Sequence, residues 1–165
     1  MKRIPVLICL VLGAVFTPVR AAPQAGAPAP DFTLPGLLAG QGEVGLRSLA
    51  GRVVVVDFWA SWCPPCRKTL PHLGRLAAEH PSLAVLAISV DENRAKAVEF
   101  LKVREPSLVY LHDADKSAAG AYDPGGMPSL ALIDKRGVLR YRHDGYTERD
   151  FGTIAAEIRS LLEEK

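Results

Sequence analysis

The run from Val53 to Trp59 constrains this chain more than any other stretch: four consecutive valines, then Asp57, Phe58 and Trp59. Asp57 alone interrupts it, so the run has no polar side to turn toward water. Continuous apolar runs of this length, rich in β-branched and aromatic residues, are strands buried on both faces. A chain that contains one must cover both sides of its sheet with other elements. The apolar residues needed for that are present, since 48% of the chain is hydrophobic and 23% charged, the balance of an ordinary globular domain.

The rest of the pattern supplies the covering layers. Leu83 to Val90 is a second buried apolar strand, ending at Asp91. Cys63-Pro64-Pro65-Cys66 opens a helix expected to run to about His80, with Leu70, Leu73, Leu76 and Ala77 on one face and a kink at Pro71. Asn93 to Arg104 predicts a helix with Ala97, Val98 and Leu101 inward. Leu108 to Leu111 predicts a short strand, and Lys116 to Tyr122 a helical turn. Gly125-Gly126-Met127-Pro128 is a loop before the strand Ser129 to Ile133. Lys135-Arg136-Gly137 turns that strand into Val138 to His143. Phe151, Ile154, Ala155, Ile158, Leu161 and Leu162 line one face of a last helix. The order of elements predicts an α/β domain with a central mixed sheet covered on both faces.

The N-terminus reads differently. Lys2 and Arg3 precede an uncharged apolar run from Ile4 to Phe16, and Val19-Arg20-Ala21 fits signal-peptidase cleavage after Ala21. Residues 1–21 are therefore expected to be a signal peptide and the protein periplasmic. A retained anchor is disfavoured because the run is shorter than the roughly 20 residues of a membrane span. Ala22 to Pro30, rich in Ala, Pro and Gly, is expected to be a flexible tether, with one domain over 31–165. Four glycines between Gly36 and Gly45 mark a turn region, and Leu46 to Leu49 a short strand or turn. Cleavage removes Lys2, Arg3 and Arg20, leaving 17 basic against 18 acidic residues. That near-neutral balance gives no electrostatic reason to bind nucleic acid.

Cleavage also discards Cys9, so the mature chain keeps two cysteines, both in one Cys-x-x-Cys motif. An exported protein with a single such pair points to thiol–disulfide chemistry. Thiolates attack disulfides, and the first turn of a helix, with unpaired N–H groups and a partial positive charge, favours a thiolate. Cys63 is the expected exposed nucleophile. Cys66, one turn later, is the expected buried resolving thiol. A zinc site needs about four ligands. No second cysteine pair exists, and His72, His80, His112 and His143 are scattered and expected at the surface. A structural disulfide across so short a loop would restrict the unfolded chain little. Asp57, an acid inside the most apolar strand, is expected to have a raised pKa and to take the proton of Cys66. Trp62 is expected to be partly exposed beside Cys63. The backbone around Pro128 is a candidate for a cis bond after Met127.

The segment from Val53 through Trp62-Cys63-Pro64-Pro65-Cys66-Arg67-Lys68 resembles a thioredoxin-fold active site. Its surroundings resemble the exported TlpA/ResA-like thiol–disulfide oxidoreductases: Ala29-Pro30-Asp31-Phe32-Thr33-Leu34 at the opening, and Gly126-Met127-Pro128-Ser129 with Leu132-Ile133-Asp134 later. The resemblance implies a thioredoxin fold with an inserted strand–helix unit and an N-terminal β extension. It implies that Pro128 is cis and shapes a substrate groove with Trp62, Pro64, Pro65 and Met127. It implies no cofactor beyond the redox-active pair. Expected partners are client proteins with disulfides or thiols, apocytochrome c among them, and a membrane thiol electron donor, with the protein itself a monomer. Thr69 stands where several haem-maturation members carry glutamate, which argues against a specific cytochrome c role. Pro64-Pro65 lacks the histidine of the strongly oxidising type, so a reductase is favoured over an oxidase or isomerase. A peroxidase would need a Pro-x-x-x-Thr/Ser-x-x-Cys frame, which is absent. A copper chaperone would have only Met127 as an added soft ligand.

Overall fold

The computed structural model describes residues 22–165 except Val103, Tyr146 and Glu148; the expected signal peptide over 1–21 lies outside the described residues. The run Val53–Trp59 is a strand (β3), and all seven of its residues are buried. It pairs in parallel with β4 (Leu83–Ser89) on one side and antiparallel with β6 (Ser129–Ile133) on the other. β5 (Val109–His112) and β7 (Leu139–Asp144) complete a mixed sheet in the order β5-β4-β3-β6-β7. β1 (Thr33–Pro35) and β2 (Glu43–Gly45) form a separate hairpin before the sheet. The expected central mixed sheet is present, as are the N-terminal β extension and, in β5 with its following helix, the inserted unit.

Consecutive strand residues point to opposite faces, and the aromatic contacts of β3 show what covers each one. Phe58 packs against Tyr122 of α3 (Ser117–Tyr122), with ring centroids 5.4 Å apart. Trp59 stacks at 5.1 Å on Phe100 of α2 (Arg94–Phe100). Arg67 of α1 (Cys66–Glu79) lies over the same Phe100, and His72 of α1 meets Phe151 of α4 (Asp150–Glu163). Three helices thus cover one face, and α3 shares the other with the N-terminal segment.

Several boundaries differ from expectation for local reasons. The first helix begins at Cys66 rather than Cys63, because Cys63 to Pro65 form a turn ahead of it. α2 stops at Phe100, well before Arg104, and starts where the Asn93 side chain accepts the Ala95 N–H at 2.9 Å. Leu46–Leu49 is a short 3-10 helix. Gly137 turns the β6–β7 connection with φ +79°, a conformation that favours glycine.

The largest departure is the segment 22–30, which is not free along its second half. Gly26 N–H donates to the Leu139 carbonyl at 2.7 Å, Leu139 N–H to Ala27 at 3.0 Å, and Ala29 N–H to Gly137 at 2.9 Å. Alanine and proline here form an isolated bridge, Pro28 opposite Val138, in which few side chains need burial but the backbone still pairs. The chain then crosses the α3 face, where Tyr122 Oη donates to the Pro30 carbonyl at 2.9 Å and Phe32 packs on the Tyr122 ring. It reaches the far edge at Leu37, whose N–H donates to Tyr110 of β5 at 2.8 Å. Both edges of the sheet are capped by one continuous strap.

Leu37 is fully buried at the end of this strap. Leu37→Ala is expected to destabilise the protein by about 3 kcal/mol in urea denaturation, the usual cost of a buried leucine deletion. A strap that packed only loosely would show almost no change.

Candidate active site

β3 delivers the chain to its C-terminal end, and the turn after it carries the two cysteines. Cys63 and Cys66 are joined in a disulfide with an S–S distance of 2.04 Å and Cα atoms 5.5 Å apart. Exposure separates them less than expected: Cys63 is 2% exposed and Cys66 is fully buried, so the expected exposed sulfur is covered in this oxidised state. The neighbours are what reach solvent. Trp62 is 66% exposed, the one large apolar side chain so exposed among the described residues, and Pro64 and Pro65 are exposed as well.

The electrostatics around the pair are plain. Unpaired N–H groups were expected at the mouth of α1, but Pro64 and Pro65 have none. Cys66, Arg67 and Lys68 donate theirs to the carbonyls of Cys63, Pro64 and Pro65 at 3.2, 3.2 and 2.9 Å. The guanidinium adjacent to the motif in sequence is also directed elsewhere. Arg67 lies 3.9 Å above the Phe100 ring and donates Nη1–H to the Phe100 carbonyl at 3.2 Å. What remains to favour a thiolate is the helix dipole. Pro71, inside α1, cannot donate the helical bond to the Arg67 carbonyl.

Asp57, on the Trp59 face of β3, is fully buried, and neither carboxyl oxygen has a hydrogen-bond partner. Desolvation holds its pKa well above the usual carboxylate range, as expected from the strand it interrupts. Trp59 Nε1, two residues on and on the same face, is likewise buried without a partner. Leu130 of β6 is the lateral neighbour of Asp57, and Ser129 that of Phe58, so the loop before β6 reaches the cysteine end of the sheet. That loop contains the cis bond Met127–Pro128, with Pro128 buried and Met127 half-buried. It is held from β7: Ser129 Oγ donates to Asp144 Oδ1 at 2.6 Å, and Gly145 N–H to the Pro128 carbonyl at 2.8 Å.

Asp57, Trp62, Cys63, Pro64, Pro65, Cys66, Met127 and Pro128 therefore belong to one end of the sheet. Asp144 and Asp91, both acids at or just past a strand end, also stand at this end of the sheet without having been singled out by any motif. That position is their one sequence-level signal. His112, expected at the surface, is buried at the end of β5 with its Nε2 on the Asp91 carbonyl at 2.7 Å. Among the described residues no cluster of three or more His, Cys, Asp or Glu side chains is arranged to hold a metal, and no helix is long and apolar enough to cross a membrane.

The raised pKa of Asp57 has a stability consequence of definite sign. The folded state keeps the proton to higher pH than the unfolded chain, so stability is fully present below the unfolded pKa of about 3.9 and falls as pH rises toward the folded value. Asp57→Asn cannot ionise. Urea denaturation of the oxidised protein is expected to show Asp57→Asn gaining on the parent as pH rises above about 4, until Asp57 ionises in the folded state. A difference independent of pH would show that Asp57 ionises as easily folded as unfolded.

The chain is similar to known proteins in sequence and fold. The Redoxin family model matches residues 24–158. The chain is 33% identical over 125 residues to the thiol:disulfide interchange protein DsbE of Allochromatium vinosum, covering 75% of this chain and 68% of that one. It is 34% identical over 122 residues to DsbE of Escherichia coli strain K12, covering 73% and 65%. With the thiol-disulfide oxidoreductase ResA of Bacillus cereus it shares 30% identity over 116 residues, covering 69% and 66%. Among solved structures, a Chlorobium tepidum protein assigned as a thiol:disulfide interchange protein DsbE superposes with a TM-score of 0.80 at 32% identity, covering 86% of this chain and 99% of that one.

Proposed function

This chain belongs to the Redoxin family as a TlpA/ResA-like thiol–disulfide oxidoreductase of thioredoxin fold, and from that premise we propose that it reduces disulfides in periplasmic client proteins. The observation that carries the direction is that the groups best placed to stabilise a thiolate at the cysteine pair are committed elsewhere. Amide donors are used within the turn, Arg67 stacks away, and no histidine stands between the cysteines. Strong oxidants of this fold gain their power from a stabilised reduced form. A pair without that stabilisation gives up its electrons readily.

In this reading the Cys63 thiolate attacks one sulfur of a client disulfide. The client S–S bond breaks, one client thiolate leaves, and a mixed disulfide forms on Cys63. Cys66 then loses its proton to ionised Asp57 and attacks Cys63 Sγ. The Cys63–Cys66 disulfide forms and the second client thiolate leaves. Two electrons pass to the client, and a membrane thiol donor returns them to the pair. Asp57 suits the proton step because its pKa is lifted out of the usual carboxylate range and no hydrogen bond competes for its oxygens. Trp62, Pro64, Pro65 and Met127 form the client-facing surface, with buried Pro128 shaping it from behind. The signal peptide over 1–21, cleaved after Ala21, accounts for the location. Apocytochrome c is one client the TlpA/ResA-like resemblance implies, with Thr69 the departure that argues for other clients.

Two measurements test the reading. Cys66→Ala is expected to accumulate mixed disulfides with clients through Cys63, recoverable on non-reducing gels, whereas Cys63→Ala accumulates none. A reduction potential near the −120 mV of a strong oxidant, in place of one near the thioredoxin value of about −270 mV, would sink the reductive direction. Asp57→Asn is expected to leave mixed-disulfide formation unchanged and to slow its resolution about 100-fold near pH 7, read by rapid-quench alkylation. Equal resolution rates would remove Asp57 from the mechanism.

A further inference from the structure

Ala60 to Cys63 form a turn closed by the Cys63 N–H, which donates to the Ala60 carbonyl at 3.0 Å. The turn passes the chain from β3 to the cysteine pair, with Trp62 outside it and Cys63 inside. Its second residue is bound twice by one side chain. Ser61 donates its backbone N–H to Asp91 Oδ2 at 2.8 Å and its hydroxyl to Asp91 Oδ1 at 2.6 Å.

The parallel register explains the meeting. Trp59 lies beside Ser89, and Val90 N–H extends the ladder by donating to the Trp59 carbonyl at 3.0 Å. Two residues past each partner, Ser61 and Asp91 face one another. Asp91 is itself fixed from below. Ser89 Oγ donates to its Oδ2 at 3.0 Å, and its own N–H returns to Ser89 Oγ at 3.2 Å. From the next strand, buried His112 holds the Asp91 carbonyl at 2.7 Å, and Nε2 must be the donor because a carbonyl only accepts. Asp91 is 5% exposed, and both of its oxygens bind the turn. An acid so buried and so fully bonded has a set position, and it transmits that position to Ser61.

We propose that Asp91 is the positioning residue of the attacking thiol: it holds the Ala60–Cys63 turn in the conformation that presents Cys63 to a client disulfide. The inference rests on the reading that Cys63 attacks. Thiol–disulfide exchange needs the incoming sulfur aligned with the bond it breaks, and a displacement of about 1 Å can cost about 100-fold in rate. A strand-end acid that merely stabilises the fold would not control the chemistry of Cys63 in this way.

The test compares Asp91→Asn with Asp91→Ala. Both remove the acid, but Asn retains an acceptor oxygen for Ser61, so the pair isolates the clamp from charge. Cys63 is read in the Cys66→Ala background by the pH profile of its alkylation with iodoacetamide. The two-cysteine proteins are read by insulin reduction, with folding checked by circular dichroism. Asp91→Asn is expected to stay within about threefold of the parent, while Asp91→Ala loses about tenfold in insulin reduction. The alkylation midpoint of Asp91→Ala is expected about half a pH unit above that of Asp91→Asn, as Cys63 leaves the helix mouth. Adding Ser61→Ala to Asp91→Ala is expected to cost little more, since both act through one contact. Coincident profiles for Asn and Ala, with Cys63 still reactive, overturn this inference alone. If Asp91→Ala does not fold, Ser61→Ala decides instead, and an unchanged midpoint there overturns it. A Cys63 that does not alkylate in Cys66→Ala with Asp91 intact overturns both the inference and the assignment of Cys63 as nucleophile.

Discussion

The structure depends on a single strand that no water reaches. β3 is buried along its whole length and pairs on both sides, so it fixes the position of everything attached to its ends. Its alternating side chains anchor the two outer layers, Phe58 against α3 and Trp59 against α2. The cysteine turn leaves from its last residue. A rigid central strand suits this chemistry, because a covalent exchange between sulfurs tolerates little play in the groups that carry them.

The same strand creates the site's electrostatic character. A carboxyl group placed among valines loses hydration and gains no hydrogen bond in return, so its neutral form is favoured. The surroundings of the two sulfurs are also sparing: prolines without donors, amides already committed, a guanidinium held on a phenyl ring. In the proposed mechanism reactivity comes from a helix end and one buried acid. A site built this way is adjusted by small changes of geometry more than by added charge.

Much of this was legible in the sequence. The four valines announced the central strand, the strand–cysteine–helix order announced the site, and the isolation of Asp57 among apolar residues announced its altered acidity. What could not be read are relations between distant segments. The Ser61–Asp91 contact depends on the register of two parallel strands, which hydrophobic pattern does not encode. The cover over Cys63 and the burial of His112 depend on how loops close above the sheet ends. The N-terminal segment misled for a different reason. Its Ala, Pro and Gly content matches a linker, but a segment bridged to a sheet edge contributes backbone rather than side chains, and composition is blind to that.

The strap that crosses the sheet also sets an order of events. Its first residues are made before any of the strands they cap. Gly26 meets Leu139, about 110 residues later in the chain, and Leu37 meets Tyr110 of the other edge strand. Contacts of such separation close last, after the loops between them have been ordered. The strap, synthesised ahead of every strand of the sheet, is therefore the last to find its place. Until the whole chain is available both edge strands stay open to other chains, and a partner that held the young N-terminus extended would also keep the sheet from sealing.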